Sequence, residues 1–293
     1  MNSHFDYSLC TSCLQCSEIC PSGIIGVNDD NTPFYRPDRI DICIRCGHCM
    51  AICPGKAAFV DGLDNDLDFH DLHDQPVAYP DFLEFLRHRR SVRVFQDKPV
   101  SREVTLQIID AISEAPYGVG RDNVHFSFIL DRSVLQRSLP ILSDSYKQLG
   151  KMFTLAPFRA MLKLMMPGHA YNTLDTFIIP HIKKGSYISA TENDDILRDA
   201  PAMLLIHAPK DSGEHPTDSI LYLTYAFLAV HSLGLGATII GLVPPVVNRS
   251  KALKKLYGIP DGNNVIAALI FGYPKYHFNR GIRRPRKQVT ITG

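Results

Sequence analysis

The chain contains no tryptophan, and none of its 8 cysteines lies beyond Cys53. Charge of one sign is also missing, since the formal net charge is +1. A neutral whole molecule exerts no general pull on nucleic acid or anionic lipid, so electrostatic work must come from local segregation of charge. The opening MNSHFDYSLC has no basic start, apolar run or small-residue cleavage signature, which leads us to expect a cytoplasmic protein. Thiols are kept reduced there, which argues against disulfides and for metal ligation. The longest apolar stretch, 226–247, is broken by His231, three glycines and the pair Pro244 and Pro245. It reads as a buried helix running into a strand, and no membrane span is expected.

What the cysteines do is written in their spacing. Cys10, Cys13, Cys16 and Cys20 precede Pro21, and Cys43, Cys46, Cys49 and Cys53 precede Pro54, so C-x2-C-x2-C-x3-C-P occurs twice, about 33 residues apart. Three thiolates in one tight turn can cap three irons of a cubane, but the same peptide does not easily reach the fourth. Two four-cysteine zinc sites are the alternative, yet these use separated C-x-x-C knuckles rather than three crowded cysteines. The crossed arrangement gives one [4Fe-4S] centre Cys10, Cys13, Cys16 and Cys53, and the other Cys43, Cys46, Cys49 and Cys20. Residues 1–60 thus resemble bacterial two-cluster ferredoxins, small domains whose fold depends on their clusters. Such clusters move single electrons, so a partner able to take electrons singly and deliver them in pairs is expected; flavin is the obvious one.

Residues 61–80 carry a run of aspartates without lysine or arginine and read as an acidic linker. Asp64, Asp66 and Asp68 imitate a calcium loop, but Phe69 stands where glycine is needed and Gln75 where glutamate is needed. His70 and His73 are read as exposed linker histidines rather than metal ligands. From 81 onward the pattern is mixed. Helices are expected over 81–88, after a Ser101 cap, and over 218–233; strands are expected around 124–128, 203–208, 237–240 and 265–271. Arg87, Arg89, Arg90, Arg93, Lys98 and Arg102 form one basic segment, and Lys275, Arg280, Arg283, Arg284, Arg286 and Lys287 form a second. Brought together they would make a pocket for a nucleotide phosphate; apart, each is a solvated surface run. Nucleic-acid binding is not expected, because the overall charge is neutral and the tail has no interleaved aromatic platform beyond Tyr276 and Phe278.

The run Arg89-Arg90-Ser91-Val92-Arg93-Val94-Phe95 resembles the opening FMN motif of the nitroreductase family. Ala115-Pro116-Tyr117-Gly118, the glycine-rich stretch 234–241 and Gly272-Tyr273-Pro274 agree with that family in order. The whole chain resembles its ferredoxin-fused branch. The resemblance implies an α+β homodimer: a nitroreductase-like FMN-binding sandwich over 81–293, preceded by the small ferredoxin-like α+β domain. It puts the FMN phosphate on Arg89, Ser91, Arg283, Arg284 and Arg286, with Arg90 at the ribityl or phosphate region and Arg93 at the pyrimidine edge. Backbone around Ile240, Gly241 and Leu242 would meet the flavin N5, and Pro116, Tyr117 and Gly118 would line the ring. Tyr117 and Gly120 depart from the family's serine and asparagine, which leaves substrate preference open, and no catalytic acid or base is nominated. Phe153, Phe158, Met161, Met165 and Met166 are read as either a lid over the flavin or plain core.

The expected activity is reduction of a nitroaromatic, quinone or activated alkene, with electrons from the clusters, a redox protein or NAD(P)H. The alternatives are a non-enzymatic electron carrier or redox sensor, and a dehalogenating or flavin-fragmenting relative.

Overall fold

A computed structural model of the chain describes residues 3–72, 77–116, 118, 123–188, 194–211, 215–285 and 288–292. The chain divides into two compact units, Met1–Ala78 and Tyr79–Gly293.

The first unit is a duplicated half. β1 (His4–Phe5), α1 (Gln15–Ile19), β2 (Ile25–Val27), β3 (Pro33–Tyr35), α2 (His48–Ala51) and β4 (Ala58–Phe59) form two antiparallel pairs, β1 with β4 and β2 with β3. The 33-residue offset of the cysteines recurs in the backbone. Left-handed φ values stand at Ser12 (52°), Leu14 (59°) and Gly23 (58°), and again at Arg45 (51°), Gly47 (75°) and Lys56 (52°). Ordinary residues enter this region at a cost of about 1–2 kcal/mol each, so four non-glycine residues held there mark loops whose shape is imposed by what they surround. Buried Phe5, Ile24, Ile25, Met50, Ala58 and Val60 form a thin core with Cys16 and Cys49.

The stretch read as a linker starts by packing back on this core. Leu63 and Phe69 cover it, with Phe69 3.1 Å from where a Cβ on Gly47 would stand. Asp64 Oδ1 accepts from the Asp66 and Leu67 N–H groups at 2.8 and 3.0 Å, so the acidic side chains cap a turn that delivers Phe69. His70 is exposed; His73 and Gln75 lie outside the described residues.

In the second unit come α3 (Tyr79–His88), α4 (Arg102–Ser113), β5 (His125–Ile129), α5 (Arg132–Met152), α6 (Ala156–Met165), α7 (Gly168–Thr173), α8 (Ile179–Lys183), β6 (Ala202–Pro209), α9 (His215–Ser232), β7 (Gly236–Ile239), α10 (Val243–Val247), α11 (Lys251–Tyr257) and β8 (Asn263–Gly272). The strands form one antiparallel sheet in the order β5-β6-β8-β7. Pleat alternation divides β6 between two cores. Met203 and Leu205 face the layer containing α5, α8, α10 and α11, while Ala202, Leu204 and Ile206 face α4 and α9. Burial on both faces explains why β6 and β8 read as apolar runs rather than alternating patterns. The result is an α+β sandwich. Ser101 caps α4 as expected, its side chain accepting from the Val104 N–H at 3.3 Å.

Candidate functional site

In the first unit Cys20, Cys43, Cys46 and Cys49 line one cavity together with Gly47 and His48. That is the crossed set, with the fourth cysteine drawn from the other repeat. In the second set Cys53 approaches Cys16 closely enough to help burial push the Cys16 thiol up to about 11. Backbone N–H groups already point at sulfur: Ser12 donates to Cys10 Sγ at 3.4 Å and Ala57 to Cys53 Sγ at 3.2 Å. Burial and the neighbouring Cys46, Cys20 and Cys43 raise the Cys49 thiol as well. Sulfurs that raise one another's pKa are held together as thiolates only by a positive core among them. Among the described residues no three His, Cys, Asp or Glu side chains converge as one metal ion would require. Cysteines framing a cavity fit a multi-iron core, which fills that space itself.

One difference between the two halves lies beside a cluster cysteine. Phe5 pairs with Ala58 in β1–β4, and Tyr35 pairs with Ile25 in β2–β3, so the repeat places Tyr35 where the other half has Phe5. The two rings stack at 4.7 Å. Only Tyr35 has a hydroxyl, and it lies 3.8 Å from Cys49 Sγ. Burial holds the phenol well above the usual range, so it acts as a donor.

In the second unit the arginine segments meet. Arg89 and Arg90 at the C-terminal end of α3 line one cavity with Arg283 and Arg284 of the tail, joined by Arg87 and Arg280. The one acid lining it, Glu84, is already engaged by Arg87 at 3.3 Å and His88 at 3.1 Å. Six arginines lining a cavity whose one carboxylate is already committed leave positive charge for an anion from outside. Arg89 stacks over the Phe227 ring of α9 at 4.8 Å, and burial together with Arg284 and Arg90 lowers its pKa. Arg90 donates through Nη1 to the carbonyls of Arg87 and Arg89, at 2.6 and 2.7 Å, which leaves its buried Nε without a partner among the described residues. This cavity fits a phosphate.

The other expected contacts gather in a second cleft. Arg93, Ile240, Gly241 and Leu242 line it. Segment 91–93 is laid along β7: Ser91 bridges Ala237 in parallel, and Val92 N–H donates to Ala237 O at 2.9 Å. This close approach needs Gly236, where a Cβ would stand 2.4 Å from Val92. At Gly241, which lines the cleft, a Cβ would meet nothing within 4 Å. Among the described residues the N–H groups of Gly241 and Leu242 have no acceptor. The Leu242 carbonyl is pinned by the buried Tyr146 hydroxyl at 2.7 Å. Glycine space, free N–H groups and a nearby guanidinium together fit a flat heterocycle with acceptor atoms on its edge.

Not every expected residue joins these cavities. Ser91, Pro116 and Gly118 line neither; Ser91 is instead bridged to Ala237 of β7, and Gly118 N–H is bound to the buried Asp218 of α9 at 3.1 Å. Tyr117, Gly120 and Arg286 lie outside the described residues. The lid reading divides by face: Phe158 and Met166 line the cleft, Phe153 is core, and Met161 and Met165 face solvent. Tyr146, Tyr187, Asp195, Arg198 and Arg249 also line the cleft, and sequence reasoning missed them. The buried positions Leu135, Leu139, Leu142 and Tyr146 recur at helical spacing in α5, a signal that was there to be read. No described helix is long and apolar enough to cross a membrane.

Comparisons with known proteins agree with this geometry. The nitroreductase family model matches residues 86–273, and a 4Fe-4S dicluster domain model matches residues 9–58. A protein of Methanothermobacter thermautotrophicus named as an NADH dehydrogenase/NAD(P)H nitroreductase is 25% identical over 205 residues, covering 69% of this chain and 81% of that protein. A ferredoxin of Methanocaldococcus jannaschii is 36% identical over 58 residues, which cover 19% of this chain and 89% of the ferredoxin. Crystal structures of nitroreductases with bound FMN from Bacteroides fragilis and Desulfitobacterium hafniense share the fold at TM-scores of 0.54 and 0.53. Each is 17% identical and covers 72% of this chain, with 98% and 97% of those chains matched.

Proposed function

Because the chain belongs to the nitroreductase family and carries a 4Fe-4S dicluster domain, it is an oxidoreductase, and we propose that it is an FMN-dependent one. In this reading it takes electrons from its two clusters, from a redox protein or from NAD(P)H, and reduces a small nitroaromatic, quinone or activated alkene. The observation that carries the reading is the meeting of Arg89 and Arg90 with Arg283 and Arg284 in one cavity, linked through Ser91 and Val92 to the cleft at Gly241.

The clusters supply one-electron transfer, and FMN couples single electrons to two-electron chemistry. The protein's part is binding and orientation. Arg89, Arg90, Arg283 and Arg284 would hold the phosphate; the resemblance to the family adds Arg286, which lies outside the described residues. Arg93 would offer positive charge to the pyrimidine edge, and the Gly241 and Leu242 N–H groups would meet N5. Phe158 and Met166, which line the cleft, would keep water from a bound ring, and nicotinamide needs no separate dinucleotide fold if it stacks there. A cytoplasmic homodimer completes the proposal. Anaerobic steady-state turnover with nitro, quinone and enone acceptors tests it, NADH, NADPH and reduced ferredoxin being compared as donors. Turnover of at least one class is expected; none with any donor would leave an electron carrier instead.

Tyr35→Phe is expected to lower the midpoint potential of one cluster and leave the other unchanged. A hydrogen bond donated to a thiolate ligand favours the more negative, reduced cluster, and Tyr35 offers one to Cys49 alone. A redox titration followed by electron paramagnetic resonance reads both potentials. Two unmoved potentials would contradict the assignment.

A further inference from the structure

The cleft at Gly241, about 860 Å³, extends well beyond the residues assigned to the flavin. Much of its lining is apolar, from Ile141, Leu149, Phe158, Leu162 and Met166. Its charged groups are Arg93, Arg198 and Arg249 against the single acid Asp195. Asp195 is paired with Arg198 at 3.4 Å. Arg249, just past the end of α10, has no carboxylate partner among the described residues. It stands near enough to Tyr146 to oppose the rise that burial imposes on that phenol, and Tyr146 in turn holds Leu242.

The wall carrying Arg198 is rigidly built. Asp194 accepts backbone N–H bonds from Ile196 at 3.1 Å, Leu197 at 2.6 Å and Asp199 at 2.9 Å. Ile196 and Leu197, within that turn, are fully buried. The backbone of Tyr187, Arg198 and Asp199 is left-handed, at φ 67°, 60° and 52°. Asp199 is further tied to Arg132 at 3.7 Å. Such backbone is held only where surrounding structure over-determines it, and here it directs Tyr187 and Arg198 to the cleft.

We propose that the acceptor is a planar aromatic or conjugated compound bearing a carboxylate, seated with its carboxylate on Arg249 and Arg198 and its flat body along the apolar wall. This rests on the reading of the cleft as the flavin's open face. A guanidinium takes a carboxylate through two parallel N–H bonds, and these two arginines flank the phenols of Tyr146 and Tyr187. A compact monoanion fits better than a nucleotide phosphate, because the arginine cluster suited to phosphate lies in the other cavity.

The test compares 4-nitrobenzoate with 4-nitrobenzamide on the FMN-loaded full chain, together with flavin absorbance titrations using benzoate and benzamide. We expect kcat/KM to favour the benzoate by tenfold or more, carried in KM, and benzoate to perturb the flavin at lower concentration than benzamide. Arg249→Gln should erase both preferences, and Arg249→Lys should restore part of each, with FMN retention confirming that the variants fold. Equal reduction of the two compounds would leave the oxidoreductase reading intact and overturn the carboxylate subsite. Reduction of neither would count against the oxidoreductase reading, and the benzoate titration would still decide the subsite. If Arg249→Gln slowed only flavin reduction by NAD(P)H, the arginine would serve the nucleotide and the proposal would fail.

Discussion

Gly55→Ala is expected to remove one of the two clusters and to leave the other in place. A Cβ on Gly55 would stand 2.2 Å from the carbonyl oxygen of Leu9, a backbone atom that cannot swing aside. Leu9 immediately precedes Cys10, and Gly55 follows Cys53 by two residues, so this contact lets the crossed ligand reach the set Cys10, Cys13 and Cys16. The β1–β4 pairing and the Asp6 N–H bond to Ala57 O at 2.8 Å fix the two strands and offer no slack. At the equivalent place in the other repeat stands Ser22, which has a side chain, so that half lacks the constraint. Iron per chain should fall by about half, as it should in Cys53→Ser, since a cubane without its fourth thiolate is readily lost. Full iron content in Gly55→Ala would show that the crossing does not depend on this contact.

The second large effect concerns the flavin. Gly236→Ala would bring a Cβ within 2.4 Å of Val92 Cγ2 and 2.5 Å of its Cβ. Valine is stiff at χ1, and its N–H is bound to Ala237 O, so the whole segment 91–93 must lift from β7. Arg89, Arg90 and Arg93 move with it. Losing a hydrogen bond to a charged group costs about 1.5–3 kcal/mol, which is tenfold or more in affinity. FMN should therefore bind at least tenfold more weakly to Gly236→Ala, and Arg89→Gln should show a loss of similar size. The first variant alters position without charge, and the second alters charge without position. Fluorescence titration of the flavin-free chain with FMN measures both. Unchanged affinity in both variants would place the phosphate elsewhere.

How much of this was legible beforehand depends on the range of the interaction. Cysteine spacing is local and chemically demanding, so the crossed set was readable before Cys20 was seen beside Cys43, Cys46 and Cys49. The buried strands were equally plain, because residues such as 203–206 tolerate nothing polar on either face. Arg89 and Arg284 could be named as candidates, but their meeting depends on how the tail runs past α3, which no local pattern encodes. The catch of Tyr146 on Leu242 spans 96 residues of sequence and was invisible for the same reason. In the acidic stretch, composition pointed to solvent. Leu63 and Phe69 decided its course, since two apolar side chains at the edge of a small core outweigh exposed aspartates that lose nothing by capping a turn.

Metal and flavin content of the full chain, purified without oxygen, tests the central claim most directly. The claim that one chain builds two cubane sites and one FMN site predicts iron and sulfide for two four-iron clusters, one FMN per chain, and a visible spectrum with both cluster and flavin absorption. Clusters without flavin, or zinc in place of iron, would contradict it.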